Sequence, residues 1–452
     1  MRLRLRRRTS SAMPGERWLI LSQYYWPELG APQLRLRALV KELRRHGIAV
    51  EVRTGMPNYP NGVVFPEYRG RWWAKEVIDD VPIHRTWLYA AAGPSTLRRI
   101  LNYVSFTSTA LVGSLLGPRP DRLFVESQPL TLGVVALSMR WLKGVPYVYN
   151  VPDLQVEVAK EAGFLTNRPL LGFMRFLEDV SLRNAWNVSS VTDGFARYIQ
   201  DRGVPDHRIS FLPNGADTEF MRPMEPDLAL LERWRLHDKK VFTYIGTHAQ
   251  YHGLETLISA AELLRQREDV AFLLVGEGPE RERMRLLAHE RELDNVVFAT
   301  LPYEEVPSCY SITYAALALV RAFGVASKMR PAKIFPALSC GVPVIYSGSG
   351  ETPELLDEYG VGISVPAESP AALARAIEEL AADPERRESM GRAGRRLAVS
   401  DFGWDTIVRR WLAEIGYPGV DPANVLDVAA PAHSARPAHR TSETHRDVDP
   451  AG

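Results

Sequence analysis

The strongest constraint in this chain is an alternation of short apolar runs with amphipathic stretches, and it occurs twice. In the first half, Trp18-Leu-Ile-Leu-Ser22, Ala49-Val-Glu-Val-Arg53, Leu123-Phe-Val-Glu126 and Tyr147-Val-Tyr149 have the length and composition of strands. Helical stretches separate them, and the one from Leu34 to His46 stops at Gly47. Strands joined through helices pair in parallel, so the pattern predicts a parallel sheet covered on both faces. The pattern breaks over a proline-rich stretch from about Pro205 to Lys240. It resumes with strands expected at Val241–Ile245, Val270–Val275, Val296–Phe298 and Ala315–Val320, and helices at Leu254–Arg265, Arg281–Glu290, Pro370–Ala382 and Arg386–Val399. The expected fold class is α/β, two doubly wound domains in tandem around a central cleft. Ligands of such sheets bind beyond the carboxyl ends of the strands.

With 452 residues the chain can build two sizeable cores. The net charge is +1, so no global field draws nucleic acid. The two cysteines, Cys309 and Cys340, lie in apolar contexts; they are expected to be buried thiols of a cytoplasmic protein, not a disulfide framework. No His and Cys cluster has metal-ligand spacing, and no metal or cofactor is expected. The basic N-terminal segment 1–16 lacks the apolar run of a signal peptide, and the Pro- and Ala-rich 417–452 lacks periodicity. Both are expected to be disordered tails. Between them lie a first domain, 17–204, a linker, 205–240, and a second domain, 241–400.

The residues with chemistry in them gather at strand ends. Pro331-Ala-Lys-Ile-Phe-Pro-Ala-Leu-Ser-Cys-Gly-Val-Pro-Val-Ile345 predicts a short helix carrying Lys333, a tight turn and a buried strand over Val342–Tyr346. Gly348-Ser-Gly-Glu-Thr-Pro-Glu354 then opens a second helix near Thr352. A helix N-terminus offers free backbone N–H groups, glycine lets a phosphate approach them, and Lys333 adds a point charge. The unit reads as a grip for a diphosphate; the alternative is an ordinary αβα segment. Further glycine loops follow at Tyr24-Tyr-Trp-Pro-Glu-Leu-Gly30, Gly246-Thr-His-Ala-Gln-Tyr-His-Gly253 and Gly276-Glu-Gly-Pro-Glu280, each before a helix. Together they describe a nucleotide cleft.

The stretch from Ile100 to Pro118 carries no charged residue and follows Arg98-Arg99. Asn102, Ser105, Thr107, Ser108 and Thr109 make it too polar to span a membrane. Two readings stand. It is a core helix of the first domain, or it lies at a membrane surface with Trp87, Tyr89, Leu97, Arg98 and Arg99 as anchors, and Tyr103 and Phe106 on one apolar face.

Taken in order, these pieces resemble a retaining glycosyltransferase of family 4, with the two-domain, Rossmann-like GT-B architecture. The resemblance runs from about Trp18 to Arg410 and rests on an ordered series. Met56-Pro-Asn-Tyr-Pro-Asn-Gly62 resembles a signature of enzymes that build bacterial surface polysaccharides. Phe211-Leu-Pro-Asn-Gly-Ala-Asp217, His252-Gly-Leu-Glu-Thr-Leu-Ile258, Leu274-Val-Gly-Glu-Gly-Pro279 and Lys333 with Gly341-Val-Pro-Val344 follow in sequence. Phe402-Gly-Trp404 is similar to the point where the family's last helix, here 401–416, crosses back to the first domain.

The resemblance implies a nucleoside diphosphate sugar as donor and a lipid-linked or other saccharide as acceptor, with membrane-surface contact an open question. Catalytic roles are expected for Asp153 in Val151-Pro-Asp-Leu154, for Lys333 and for Glu351. Substrate contacts are expected from Gly30, Asn214, Gly246, His248, Gly276, Gly278, Tyr303, Gly350, Thr352 and Glu354, with Lys328 and Arg330 either assisting or merely solvated. Asp153 has the alternative of a turn or cap residue, and His248 that of a bland loop residue. Many family members hold the ribose through paired glutamates; here those positions are Lys328 and Pro336, whose side chains cannot accept a hydrogen bond. Two rivals therefore stay open, a non-catalytic scaffold at the membrane and a sugar-nucleotide epimerase using His84, Glu126 and Asp153.

Overall fold

The computed structural model describes residues 15–90, 92–93, 95–161, 167–417 and 420. The expected tails therefore lie outside the described residues except at their inner edges. The first sheet has eight strands, β1 (Arg17–Leu21), β2 (Ala49–Gly55), β3 (Trp73–Ile78), β4 (Val81–Thr86), β5 (Arg122–Glu126), β6 (Tyr147–Val151), β7 (Asn187–Ser190) and β8 (Ile209–Phe211). Their order is β3-β4-β2-β1-β5-β6-β7-β8. Every pairing is parallel except that of β3 with β4. Every residue of β5, β6 and β7 is buried, as a sheet covered on both faces requires.

Six helices flank this sheet: α1 (Ala31–Arg45), α2 (Thr96–Leu116), α3 (Leu132–Lys143), α4 (Gln155–Glu161), α5 (Arg168–Asn184) and α6 (Asp193–Asp201). Helix α1 begins three residues before its apolar periodicity because Pro32 sits in its first turn, where a missing N–H costs nothing. The second sheet is wholly parallel, with β9 (Lys240–Ile245), β10 (Val270–Val275), β11 (Val296–Ala299), β12 (Ala315–Leu319), β13 (Val344–Ser347) and β14 (Gly362–Val365) in the order β11-β10-β9-β12-β13-β14. The order reverses between β1 and β5 in one sheet and between β9 and β12 in the other. Each reversal opens a crevice at the carboxyl ends of the strands, and the two crevices face each other.

Strands β7 and β14 were not among the expected strands, and two further features depart from the sequence expectation. The β3–β4 hairpin was not anticipated; its turn places Asp79 and Asp80 at φ of 51° and 57°, a conformation aspartate tolerates better than most residues. The stretch 205–240, expected to be linker, contributes β8 to the first sheet and a helix, Leu228–Trp234, to the second domain.

The chain crosses between domains twice, side by side. Ala216 N–H donates to Phe402 O (2.9 Å), and Trp404 N–H donates back to Ala216 O (3.2 Å). Gly215 is glycine because a Cβ there would meet Phe402 O and Ile407 Cδ1, both at 2.4 Å. After the second crossing, the helix Trp404–Glu414 inserts Trp411 into the first domain's core against Trp18 and Phe124. The Trp411 indole N–H reaches the hydroxyls of Ser189 and Ser210 at 2.9 and 3.0 Å. The last of the described helices is thus part of the first domain.

Candidate active site

A cavity of about 1260 Å³ lies between the domains, lined from both sides. Lys333 stands at its second-domain wall, at the N-cap of the short helix Ile334–Ser339. Its ammonium donates to Tyr244 Oη (2.6 Å) and lies 4.0 Å from the centre of that ring. Among the described residues no carboxylate pairs with it, and burial pushes its pKa well down from 10.5. A cation held half out of water without a counter-charge favours an anionic ligand.

The glycine loop after β9 runs beside it. Gly246 has φ +150°, and a Cβ there would lie 3.3 Å from Lys333 Cε and Nζ. The loop after β10 packs on the first, backbone to backbone: His248 N–H donates to Glu277 O (2.8 Å), and a Cβ on Gly278 would sit 2.5 Å from His248 O. Gly276 has the same cause, with its Cβ position 2.1 Å from Gly246 O. Glycine at 276 and 278 is therefore demanded by the neighbouring loop, and only Glu277 between them reaches the cavity.

From the first domain come Gly30, Tyr59, Gln128 and Asp153. Asp153 follows β6, accepts from Gln128 Nε2 (3.3 Å) and leaves its other oxygen unpartnered. Burial pushes its pKa from 3.8 to about 6, with the Leu154 N–H and Gln128 opposing. Tyr251 reaches across from the second domain; after burial, the nearby Asp153 and Tyr59 push its phenol up to about 12.

Beneath this wall lies Glu28, which the sequence reading did not single out. It is fully buried, and its carboxylate accepts from the N–H groups of Asn58 (2.8 Å), Tyr59 (2.8 Å) and Tyr25 (3.2 Å). Glu28 thereby fixes the loop after β2, which carries Tyr59, against the loop after β1, which carries Gly30. Burial outweighs the three donors and raises its pKa from 4.5 to about 7.

The structure brings Gly30, Asp153, Asn214, Gly246, Tyr303, Arg330 and Lys333 to one cavity. Tyr303 stacks on Phe220 there, ring centres 5.0 Å apart. Eight expected site residues do not line it. Gly276 and Gly278 are accounted for above. His248 is fully buried beneath its loop, beside Tyr244 and Phe298, and burial pushes it down to about 4, so it stays neutral. Gly350 packs on Ser327, with its Cβ position 2.3 Å from Ser327 O. Thr352 is buried and Glu354 exposed, and neither lines the cavity.

Glu351 and Lys328 hold the domains together instead. One Glu351 oxygen accepts from the Gly194 N–H of α6 (2.6 Å) and the other from Arg330 (3.0 Å). Lys328 lies over the Tyr198 ring, and its carbonyl accepts from Thr192 Oγ1 (2.7 Å). The groups that an epimerase would need are not assembled. His84 faces Glu51 (3.8 Å), and Glu126 is buried between Arg35 and Asn150.

The two halves of the chain match two families. Residues 231–397 match the family of glycosyl transferases group 1, and residues 30–215 the glycosyl transferase 4-like domain. Together the two matches span most of the chain, which is a glycosyltransferase built of these two domains. A colanic acid biosynthesis glycosyl transferase of Escherichia coli K12 is 26% identical over 410 residues, which cover 88% of this chain and 99% of that one. A GDP-mannose-dependent phosphatidylinositol monomannoside mannosyltransferase of Mycolicibacterium smegmatis is 31% identical over 52% of this chain and 64% of its own length. Among solved structures, Anabaena HepE in complex with UDP and glucose superposes with a TM-score of 0.66 at 16% identity, covering 88% of this chain and 98% of that one. The architecture is GT-B, as the family resemblance implied.

Two predictions follow from the site's geometry. Because the folded-state pKa of Glu28 lies above its unfolded value, its contribution to stability falls as pH rises from about 4.5 to about 7 and is level beyond. Urea unfolding of the wild type and Glu28→Gln should therefore diverge across that window by roughly 3 kcal/mol, with the wild type showing the steeper decline. Parallel pH curves would contradict the assignment. Glu351→Ala should weaken nucleoside diphosphate affinity only in step with a more open particle in small-angle scattering, since Glu351 is a domain clasp that also places Arg330. A tenfold loss of nucleotide affinity with unchanged scattering would make Glu351 a donor contact after all.

Proposed function

We propose that the protein moves a sugar from a nucleoside diphosphate sugar to a hydroxyl of a lipid-linked or other saccharide acceptor, with retention at the anomeric carbon. Its setting in this reading is the cytoplasmic side of surface polysaccharide or glycolipid synthesis. The observation that carries the reading is Lys333, an ammonium without a carboxylate partner, set beside the Gly246 loop at the strand-order reversal of the second sheet.

As the glycosidic C–O bond of the donor breaks, negative charge gathers on the departing diphosphate. Lys333 supplies a fixed positive charge at that point, and Arg330 a second one whose position is set by Glu351. The donor oxygens would take the place of water around Lys333, which relieves the desolvation its side chain now bears. The departing phosphate oxygen would accept the proton of the incoming hydroxyl on the same face of the sugar. That route needs no pair of carboxylates at the spacing of a two-step displacement. The donor is itself a substrate, so the reading calls for no separate cofactor.

Asp153, at the cavity wall, would hold a sugar hydroxyl through its carboxylate, as an ionised acceptor above about pH 6. Tyr303, stacked on Phe220, would receive the base. The names of the relatives include GDP-mannose and the solved neighbour holds UDP. The diphosphate is what these ligands share, and it is the part that Lys333 addresses.

The test is transfer from GDP- and UDP-sugars to a lipid-linked saccharide, with the product's anomeric configuration read by NMR. The expected product keeps the donor's configuration, and Lys333→Ala lowers kcat by roughly 10²–10³. An inverted product would overturn retention; wild-type turnover by Lys333→Ala would overturn the role of the lysine.

A further inference from the structure

Helix α2 is turned inside out. Its buried face carries Asn102, Thr107 and Ser114 beside Phe106 and Ala110, whereas Leu97, Leu101, Val104, Val112 and Leu116 face outward. Two of the inward polar groups, Asn102 and Thr107, are engaged. Asn102 accepts from Gln23 Nε2 (2.6 Å) and donates to Tyr89 O (2.8 Å), and Thr107 bonds Thr131 (2.7 Å). The orientation is thus fixed by the interior, and it leaves a long apolar stripe uncovered.

The stripe continues onto the next two helices. Lys143 of α3 donates to the carbonyls of Ser114 and Gly117, which closes the end of α2 against α3. A Cβ at Gly133 of α3 would meet Ser181 Oγ of α5 at 2.1 Å, so those two helices are in close contact. On this layer Trp141 and Leu142 are 61% and 71% exposed, and Phe173 and Phe176 are 57% and 64% exposed. Large side chains left in water on three adjoining helices mark a surface meant to be covered.

Charge identifies the cover. The three helices carry Arg98, Arg99, Arg140, Lys143, Arg168, Arg175 and Arg183 against two carboxylates, Glu178 and Asp179. Both carboxylates are already paired with Arg202. Arg98, Arg99, Arg140 and Arg168 are exposed around the apolar stripe. Apolar side chains flanked by arginines, with a tryptophan among them, suit the boundary between lipid headgroups and acyl chains. No helix among the described residues is long and apolar enough to cross a membrane, so the contact would be with the surface.

We propose that the outer faces of α2, α3 and α5 form one docking surface for an anionic membrane. This extends the sequence reading from α2 alone to three helices, and moves its anchors from Trp87 to Trp141, Phe173 and Phe176. The inner face of α2 links to the cleft wall: Gln23, which holds Asn102, is followed by Tyr24, whose ring meets the cavity residue Tyr59 edge-on at 5.9 Å. A lipid-linked acceptor would then enter from the membrane beside the cavity. The inference deepens the acceptor reading and rests on it for its purpose. Vesicle binding is measured without donor or acceptor, so the two can fail separately.

The experiment is flotation of the full chain with vesicles in which roughly a third of the lipid is anionic, and with purely zwitterionic vesicles. Expected is binding to the anionic vesicles, reduced about tenfold or more in Leu101→Ser/Val104→Ser and in Phe173→Ser/Phe176→Ser. Arg98→Glu/Arg99→Glu should abolish the preference for anionic lipid. Melting temperatures should not fall in any of these variants, since the side chains are exposed. Absence of wild-type binding, or wild-type binding by all three variants, would overturn the proposal. So would a dimer in light scattering that the phenylalanine variant abolishes, because the cover would then be a second copy of the chain.

Discussion

The site depends on one unbalanced charge. Lys333 is brought out of water at the N-cap of its helix, bonded to the Tyr244 hydroxyl and close to that ring, with no carboxylate partner among the described residues. A buried ammonium of this kind is costly, and structures retain it where a ligand supplies the missing charge. Everything near it serves that arrangement. Gly246 has no side chain to crowd the amine, and the loop carrying Gly276 and Gly278 holds the Gly246 loop in place from behind.

The second requirement is that two domains meet around that charge. The crossings at Ala216 and Gly403 form a narrow hinge at one side. At the opposite side a set of direct bonds draws the domains together. Glu351 ties Arg330 of the second domain to the α6 backbone of the first, Glu161 accepts from Val325 N–H (2.9 Å), and Thr192 bonds the Lys328 carbonyl. Hinge and clasp frame the cavity between them, so closure and the positioning of Arg330 are coupled through one carboxylate. Charge-assisted bonds of this kind are short in reach, and a small rotation about the hinge would break them together.

The two parallel sheets were legible because their strands are buried on both faces and read as nearly unbroken apolar runs. The β3–β4 hairpin was not, since β3 is an edge strand whose Trp73, Lys75 and Val77 lie in water and give no core signal. Strand β8 was hidden by its three-residue length among prolines. At the site, Lys333 and the Gly246 loop could be read from the type of residue alone. The purpose of Gly276 and Gly278 could not, because a glycine that admits a phosphate and one that admits a neighbouring loop look alike in sequence. The contacts of Glu351 were hidden for a similar reason. An acidic residue in a helix's first turn is favourable wherever it occurs, and its reach to Gly194 spans 157 positions. For α2 the uncharged run was visible, but which face turns inward was decided by partners such as Gln23 and Thr131, far away in the chain.

The central claim, that Lys333 awaits the β-phosphate of a donor, can be weighed by calorimetry. The affinities of a nucleoside diphosphate and the matching monophosphate are compared in the wild type and in Lys333→Ala. The account predicts that the β-phosphate improves wild-type affinity by about tenfold or more, and that the advantage largely disappears in the variant. An equal β-phosphate advantage in both proteins would contradict it, because the charge would then be held elsewhere in the cleft.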